Sequence, residues 1–171
     1  MSTATGGSPK APPHEVVLFD LSNARQRQNL LKHASSIEAM TNQAFYEGRD
    51  KKVKPENVIS ALLNADAVIL VFAIEDDSKI LATMVGNIVW HFSGNKVFID
   101  DVITAPPYQR NGIQAKMMQA MERFARAQNI ERMALYTEEN NAAARGSYEK
   151  GGFAVRSVSD GAATIVMVKD L

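Results

Sequence analysis

Apolar residues along this chain fall into short runs of β-type spacing, separated by stretches with the three-to-four spacing of an amphipathic helix. Residues 16–21 predict a first strand, after which Ser22 or Asn23 can cap a helix through His33. Ser35 and Glu38 are spaced as a capping box for a second stretch to Tyr46, with Ile37, Met40, Ala44 and Phe45 on its apolar face. The two stretches also fit one kinked helix. Pro55 suits the first position of a further helix ending near Ala65. Residues 67–74 and 79–90 then read as two strands, and Asp76-Asp77-Ser78 between them predicts an antiparallel hairpin. Gly86 inside the second predicts a bulge or a close approach of another segment. Ser93-Gly94-Asn95 turns the chain into a strand at 96–104. A long helix at 112–129 carries Ile113, Met117, Ala120, Met121 and Phe124 on one face, a stripe that reads as core. A strand at 133–137, a helix at 141–150 and a hairpin of 153–158 and 162–168 close the order. The expected architecture is a mixed α/β sheet with helices on both faces.

Composition narrows the class. At 171 residues the chain has the length of one domain with a sizeable core, expected over residues 14–171. Residues 1–13 are rich in Ser, Thr, Gly and Pro and lack an apolar signal core, so a disordered tail is expected there. Nineteen basic and nineteen acidic residues give a net charge of zero, which removes a general electrostatic case for nucleic acid or an anionic membrane. The longest apolar run, 67–74, falls far short of the roughly 20 residues needed to span a bilayer. With no cysteine there is no disulfide, thiolate metal site or cysteine nucleophile. His14, His33 and His91 have no ligand spacing, so no metal is expected. His91, between Trp90 and Phe92, reads either as packing or as the lining of a substrate pocket. A cytoplasmic location follows from these absences, and the oligomeric state is left open, a homodimer included.

The sharpest local signal is the turn Gln109-Arg110-Asn111-Gly112-Ile113-Gln114-Ala115, set between the strand at 96–104 and the long helix. A glycine turn that opens a helix leaves backbone N–H groups without helical partners and aims the positive end of the dipole outward, which suits a phosphate or pyrophosphate. Further on the chain reads Asn141-Ala-Ala-Ala-Arg-Gly-Ser-Tyr-Glu-Lys-Gly-Gly-Phe153. Together the two segments resemble the GNAT superfamily of acyl-CoA N-acyltransferases. Gln109 and Gly112 match its Arg/Gln-x-x-Gly-x-Gly/Ala turn; Asn141, Ala144, Tyr148, Gly152 and Phe153 match its second pattern. Gln114 departs from the family's Gly or Ala, and Gly151 stands for a common Leu. The resemblance implies a GNAT-type mixed, mostly antiparallel twisted sheet, with acetyl-CoA as cofactor.

It also implies a site. The N–H and C=O groups of Val102, Ile103 and Thr104 would pair with the pantetheine arm, one N–H pointing at the thioester oxygen. The amides of Arg110, Asn111, Gly112, Ile113, Gln114 and Ala115 would hold the pyrophosphate, with Gln109, Asn141 and Ala144 at the same place and Gln114 turned outward to clear it. Tyr148 would give a proton to the leaving thiolate, since a phenol with a pKa of about 10 is protonated at neutral pH. Asp100-Asp101 resembles the Glu-Asp pair of aminosugar-phosphate and polyamine acetyltransferases, and strand alternation should point one to each face. Asp100, matching the Glu, would accept the amine's proton directly or through a water.

The acceptor expected is a small-molecule primary amine, an amino sugar phosphate favoured. Arg49, Lys51, Lys52 and Lys54 lie in a segment that borders the acceptor site in the family; they read as a solvated loop or as the partner of a phosphate or carboxylate. A peptide or protein amine, or a silent acyl-CoA-binding module of the same fold, are the alternatives.

Overall fold

The computed structural model describes residues 11–50, 52–64, 68–75, 79–90, 94–158 and 163–171. Its elements are β1 (Glu15–Asp20), α1 (Ala24–Leu31), α2 (Ala34–Phe45), α3 (Pro55–Asn64), β2 (Val68–Glu75), β3 (Lys79–Val89), β4 (Lys96–Thr104), a 3₁₀ turn (Pro106–Tyr108), α4 (Ile113–Ala127), β5 (Arg132–Glu138), α5 (Ala142–Lys150), β6 (Ala154–Val158) and β7 (Thr164–Asp170). The turn Asp76-Asp77-Ser78, Lys51, His91 and Phe92, residues 1–10 and most of the turn after Val158 lie outside the described residues. Ala11 does not: its N–H donates to Asn111 Oδ1 at 3.0 Å, so the end of the expected tail is packed beside α4.

Seven strands form one sheet in the order β1-β2-β3-β4-β5-β7-β6. Every neighbouring pair is antiparallel except β4 and β5, which α4 joins as a parallel crossover. One core lies between the sheet and α4, where Met117 and Met121 are fully buried against Met84, Val97 and Met133. The other lies under α1, α2 and α3, with Leu30, Met40, Leu62, Phe72 and Ile103. The helical stripe predicted over α4 is therefore core, as its spacing implies.

Local expectations fare unevenly. Asn23 caps α1, its side chain accepting from the N–H groups of Arg25 and Gln26. The capping box at Ser35 and Glu38 is not formed. The chain breaks at Lys32–His33 and re-enters a helix two residues earlier than a Ser35 cap would place it, with His33 at the N-cap and no side-chain cap bond. Ser36 Oγ instead accepts from the N–H of Ile80 in β3, and Glu38 accepts from Asn42. Gly86 marks a close approach: a Cβ there would stand 2.6 Å from Met121 Cε and 3.0 Å from Val97 Cγ1. The bulge in β3–β4 lies elsewhere, between the Thr83↔Ile103 and Val85↔Asp100 pairs, and puts Asp101 at φ +31°.

Candidate active site

The site begins where β4 leaves β5. The two strands pair only from Lys96↔Arg132 to Ile99↔Leu135, although both run on, β4 to Thr104 and β5 to Glu138. The bulge at Asp101 explains the parting, because an extra residue bends its strand and increases the local twist. A wedge opens beyond Ile99.

On the α4 side of that wedge is a groove of about 510 Å³. Val102 and Thr104 of β4, Gln109, Arg110, Gly112, Ile113, Gln114 and Ala115 of the turn and α4, and Asn141 and Ala144 at the start of α5 all line it. Gly112 is the N-cap of α4 at φ +74°, with no side-chain cap bond to the first-turn amides. A Cβ on Gly112 would meet nothing within 4 Å, so its glycine character answers the left-handed backbone, not crowding. The first-turn amides and the positive dipole end thus face the groove, a fit for a pyrophosphate. Tyr108, Ala143 and Ser147 also line it and were not foreseen. Ser147 could have been found one turn beyond Ala144 on the same helix face.

Two side chains leave the groove while the backbone groups expected to bind there stay beside it, and one, Gln114, departs from expectation. Asn111 stitches the turn, its Nδ2 donating to Gln109 O at 3.0 Å and Tyr108 O at 3.3 Å, and does not line the groove. Ile103, between two groove residues, points its side chain to the opposite face, as strand alternation requires. Gln114 does not turn outward. It lies between the groove and an adjoining compartment that holds Tyr148, lines both, and hydrogen-bonds the Tyr148 side chain.

Tyr148 is buried, its ring edge-on to Phe153 at 6.1 Å between centroids. Burial raises its pKa above the ordinary phenol value, and the Gln114 hydrogen bond partly opposes that. The hydroxyl is therefore a proton holder at neutral pH. Asn141 sets the helix that carries it: its side chain accepts from Ala144 N–H at 3.1 Å and caps α5.

Across β4 lies a second cavity, of about 450 Å³, floored by β2, β3 and β4 and walled by α2 and α3. Asp101 lines it and Asp100 does not. The expectation of one aspartate to each face is corrected by the bulge. Asp100 pairs with Val85, itself a wall residue, and so shares that face; its Oδ2 accepts from Asn87 Nδ2 at 2.7 Å. Both carboxylates stand on the side away from α4. Asn42 holds the rim by bonding both backbone groups of Val53, at 2.8 and 2.9 Å. Arg49 lines a shallow depression beside Asp101, while Lys52 and Lys54 are exposed.

The strand β4 is thus flanked by a groove at a helix N-terminus on one face and a carboxylate-bearing cavity on the other. The chain belongs to the acetyltransferase (GNAT) family, whose profile matches residues 34–153, and that places it among the acetyltransferases. Its fold is similar to that of the PaiA N-acetyltransferase from Thermoplasma acidophilum in complex with coenzyme A, with 16% identity over 94% of this chain and 100% of that one and a TM-score of 0.63. An acetyltransferase of the GNAT family from Streptococcus pneumoniae aligns with 17% identity over 92% and 100%, with a TM-score of 0.67. The ribosomal-protein-S18-alanine N-acetyltransferase from Escherichia coli aligns with 15% identity over 91% and 94%, with a TM-score of 0.63. At these identities the likeness is one of fold. Among curated protein sequences nothing matches. Among the described residues no helix is long and apolar enough to cross a membrane.

Proposed function

We propose that this chain is an acetyl-CoA-dependent N-acetyltransferase of small-molecule primary amines, working by direct attack of the amine on the thioester. The observation that carries the proposal is the pair of cavities on opposite faces of β4, meeting where the strand bulges and parts from β5. Coenzyme A is also what the Thermoplasma acidophilum structure was solved with.

Acetyl-CoA supplies an activated acyl carbon and a thiolate leaving group. The residues of the chain bind, orient and move protons around it. The first-turn amides of α4 and the side chain of Arg110 neutralise the pyrophosphate. The backbone of Val102 to Thr104, free of β5, takes the pantetheine arm in place of a strand partner and offers an N–H to the thioester oxygen. Asp101, with Asp100 beside it, holds the ammonium and takes its proton directly or through a water. Tyr148 holds the proton that the leaving sulfur needs, and Gln114 keeps that hydroxyl beside the groove.

The amino sugar phosphate expected from the sequence draws support from Arg49, which stands at the rim beside Asp101 and could face a phosphate. A peptide amine is the second reading, since the Escherichia coli fold neighbour is named for a ribosomal-protein alanine. Thiol release from acetyl-CoA, measured over an amine panel beside calorimetry of coenzyme A, tests the proposal. Binding with turnover of at least one small amine is expected. No binding at millimolar coenzyme A would overturn it, and binding without turnover would leave a silent acyl-CoA module.

A further inference from the structure

We infer that the cavity on the acceptor face of β4 takes a primary amine with one compact apolar body, such as an arylalkylamine or a branched alkylamine, its ammonium against Asp101. The inference rests on the transferase reading above and, from the interior of the cavity, sets an apolar amine in place of the amino sugar phosphate as its acceptor.

The floor and walls are hydrocarbon where they are deepest. Leu21, Phe72 and Ile103 are buried core residues, and Val85 and Ile37 continue the same surface. At about 450 Å³ the space is of the size that encloses a small organic ligand. Phe45 stands at its rim and at the adjoining depression with 45% of its surface exposed, an aromatic side chain with no cover of its own. An apolar body seated there would cover it.

Charge is confined to the mouth. Asp101 is the one carboxylate among the lining residues, and its backbone is held at φ +31°, a conformation uncommon outside glycine, which asparagine and aspartate tolerate best of the other residues. That bulge turns a carboxylate toward the cavity from the same strand whose next residue but one, Ile103, forms the floor. An ammonium at Asp101 is therefore next to β4, and across β4 lie Val102 and Thr104 of the cofactor groove. The nitrogen is placed at the reacting edge while the carbon body points away from it.

The same wall discriminates among amines. A sugar ring would bring several hydroxyls into a lining in which Thr41, Tyr46, Asn57 and Thr83 are the polar side chains besides Asp101, so those turned to the hydrocarbon floor would lose water without a partner. A polyamine would bring a second ammonium into the same surface, a larger loss. A phosphorylated amine would have Arg49 for its phosphate, but that group lies outside the cavity and leaves the interior empty.

The test is acetyl-CoA thiol release by the full chain with 2-phenylethylamine, isopentylamine, glucosamine, glucosamine 6-phosphate, spermidine and a lysine peptide, with coenzyme A binding measured in parallel. The two apolar amines should exceed glucosamine in kcat/KM by at least about tenfold, following the discrimination that mismatched burial of polar groups gives. Ala61→Phe, an exposed lining position on α3, should raise KM for 2-phenylethylamine several-fold and leave coenzyme A affinity alone. Asp101→Asn keeps the backbone conformation available and should lower kcat/KM for every amine. Turnover confined to glucosamine 6-phosphate, spermidine or the peptide overturns this inference and leaves the transferase standing. An unchanged KM in Ala61→Phe overturns it as well. Absence of coenzyme A binding overturns the transferase reading and this inference with it.

Discussion

Gln114 and Tyr148 are coupled in a way that their positions in the sequence did not reveal. The motif put Tyr148 beside the cofactor and marked Gln114 as an intruder near the pyrophosphate. In the fold the glutamine side chain reaches the tyrosine and separates the groove from the compartment behind it. Tyr148→Phe should leave coenzyme A affinity nearly unchanged and lower kcat about 10- to 1,000-fold, the range of general-acid contributions; steady-state kinetics beside calorimetry would show it, and unchanged turnover would make Tyr148 a packing residue. Gln114→Ala removes the one interaction that opposes the rise in the tyrosine's pKa, so the alkaline limb of the kcat–pH profile should move upward. A profile that stays put would separate Gln114 from proton transfer. The sign for stability follows from the same direction. Folding favours the neutral phenol, so that contribution is complete below the unfolded pKa of about 10 and is lost as pH rises through the higher folded value. Asp101 is the residue-scale lesson in the other direction. Alternation assigned it and Asp100 to opposite faces, and a bulge that depends on the register with β3 put them on one. Nothing within ten residues of Asp101 announces that register.

Elements whose signals are local were legible, and those set by neighbours were not. The strand at 96–104 has the bounds read from its spacing, Lys96–Thr104, because apolar alternation and the flanking turn agree. Asn141 caps α5, and the methionine face of α4 is core, for equally local reasons. The capping box at Ser35 failed because the helix already begins at Ala34, where the neighbouring Ser36 is tied to the Ile80 amide, 44 residues away in sequence. The cavity across β4 was invisible for the same reason: its lining joins α2, α3 and three strands. Only the basic stretch near it carried a sequence signal, and of that stretch Arg49 reaches the rim. Gly86 is a case where local reading and tertiary fact meet. Gly86→Ala brings a methyl to 2.6 Å from Met121 Cε and 3.0 Å from Val97 Cγ1; the methionine end can yield, but the branched Val97 on the neighbouring strand cannot do so freely. Destabilisation of about 1–3 kcal/mol is expected, as for other overpacked cores. Urea unfolding measures it, and a change near zero would mean that Met121 takes up the whole strain.

At the scale of the whole molecule the sheet is two halves joined narrowly. β1 to β4 form one, β5 to β7 with α5 the other, and between them β4 and β5 share a register of only four residue pairs. α4 crosses the seam, and Lys169 of β7 fastens it, donating to Glu122 Oε2 of α4 at 2.7 Å and to Gly151 O at the end of α5 at 2.9 Å. The pair is part-buried, and the lysine holds the Glu122 carboxyl below its ordinary pKa. Lys169→Met should therefore cost about 1–2 kcal/mol, at the lower end for a hydrogen-bonded charge. Coenzyme A would bind across the same seam, since its groove takes residues from β4, α4 and α5. A ligand that binds only the folded chain stabilises it by about 2.7 kcal/mol at a hundredfold excess over Kd. For a domain of this size each kcal/mol moves Tm by about 2–4 °C, so a rise of roughly 5–11 °C is expected in thermal melts. Lys169 lines the compartment behind the groove and not the groove itself, so Lys169→Met should lower the starting Tm yet keep that ligand-induced rise. The rise should also shrink with added salt, because the proposed site would hold the pyrophosphate end partly by charge at an exposed turn. A Tm unmoved by saturating coenzyme A would remove the ligand from the seam. A rise lost in Lys169→Met would move it into the compartment with Tyr148.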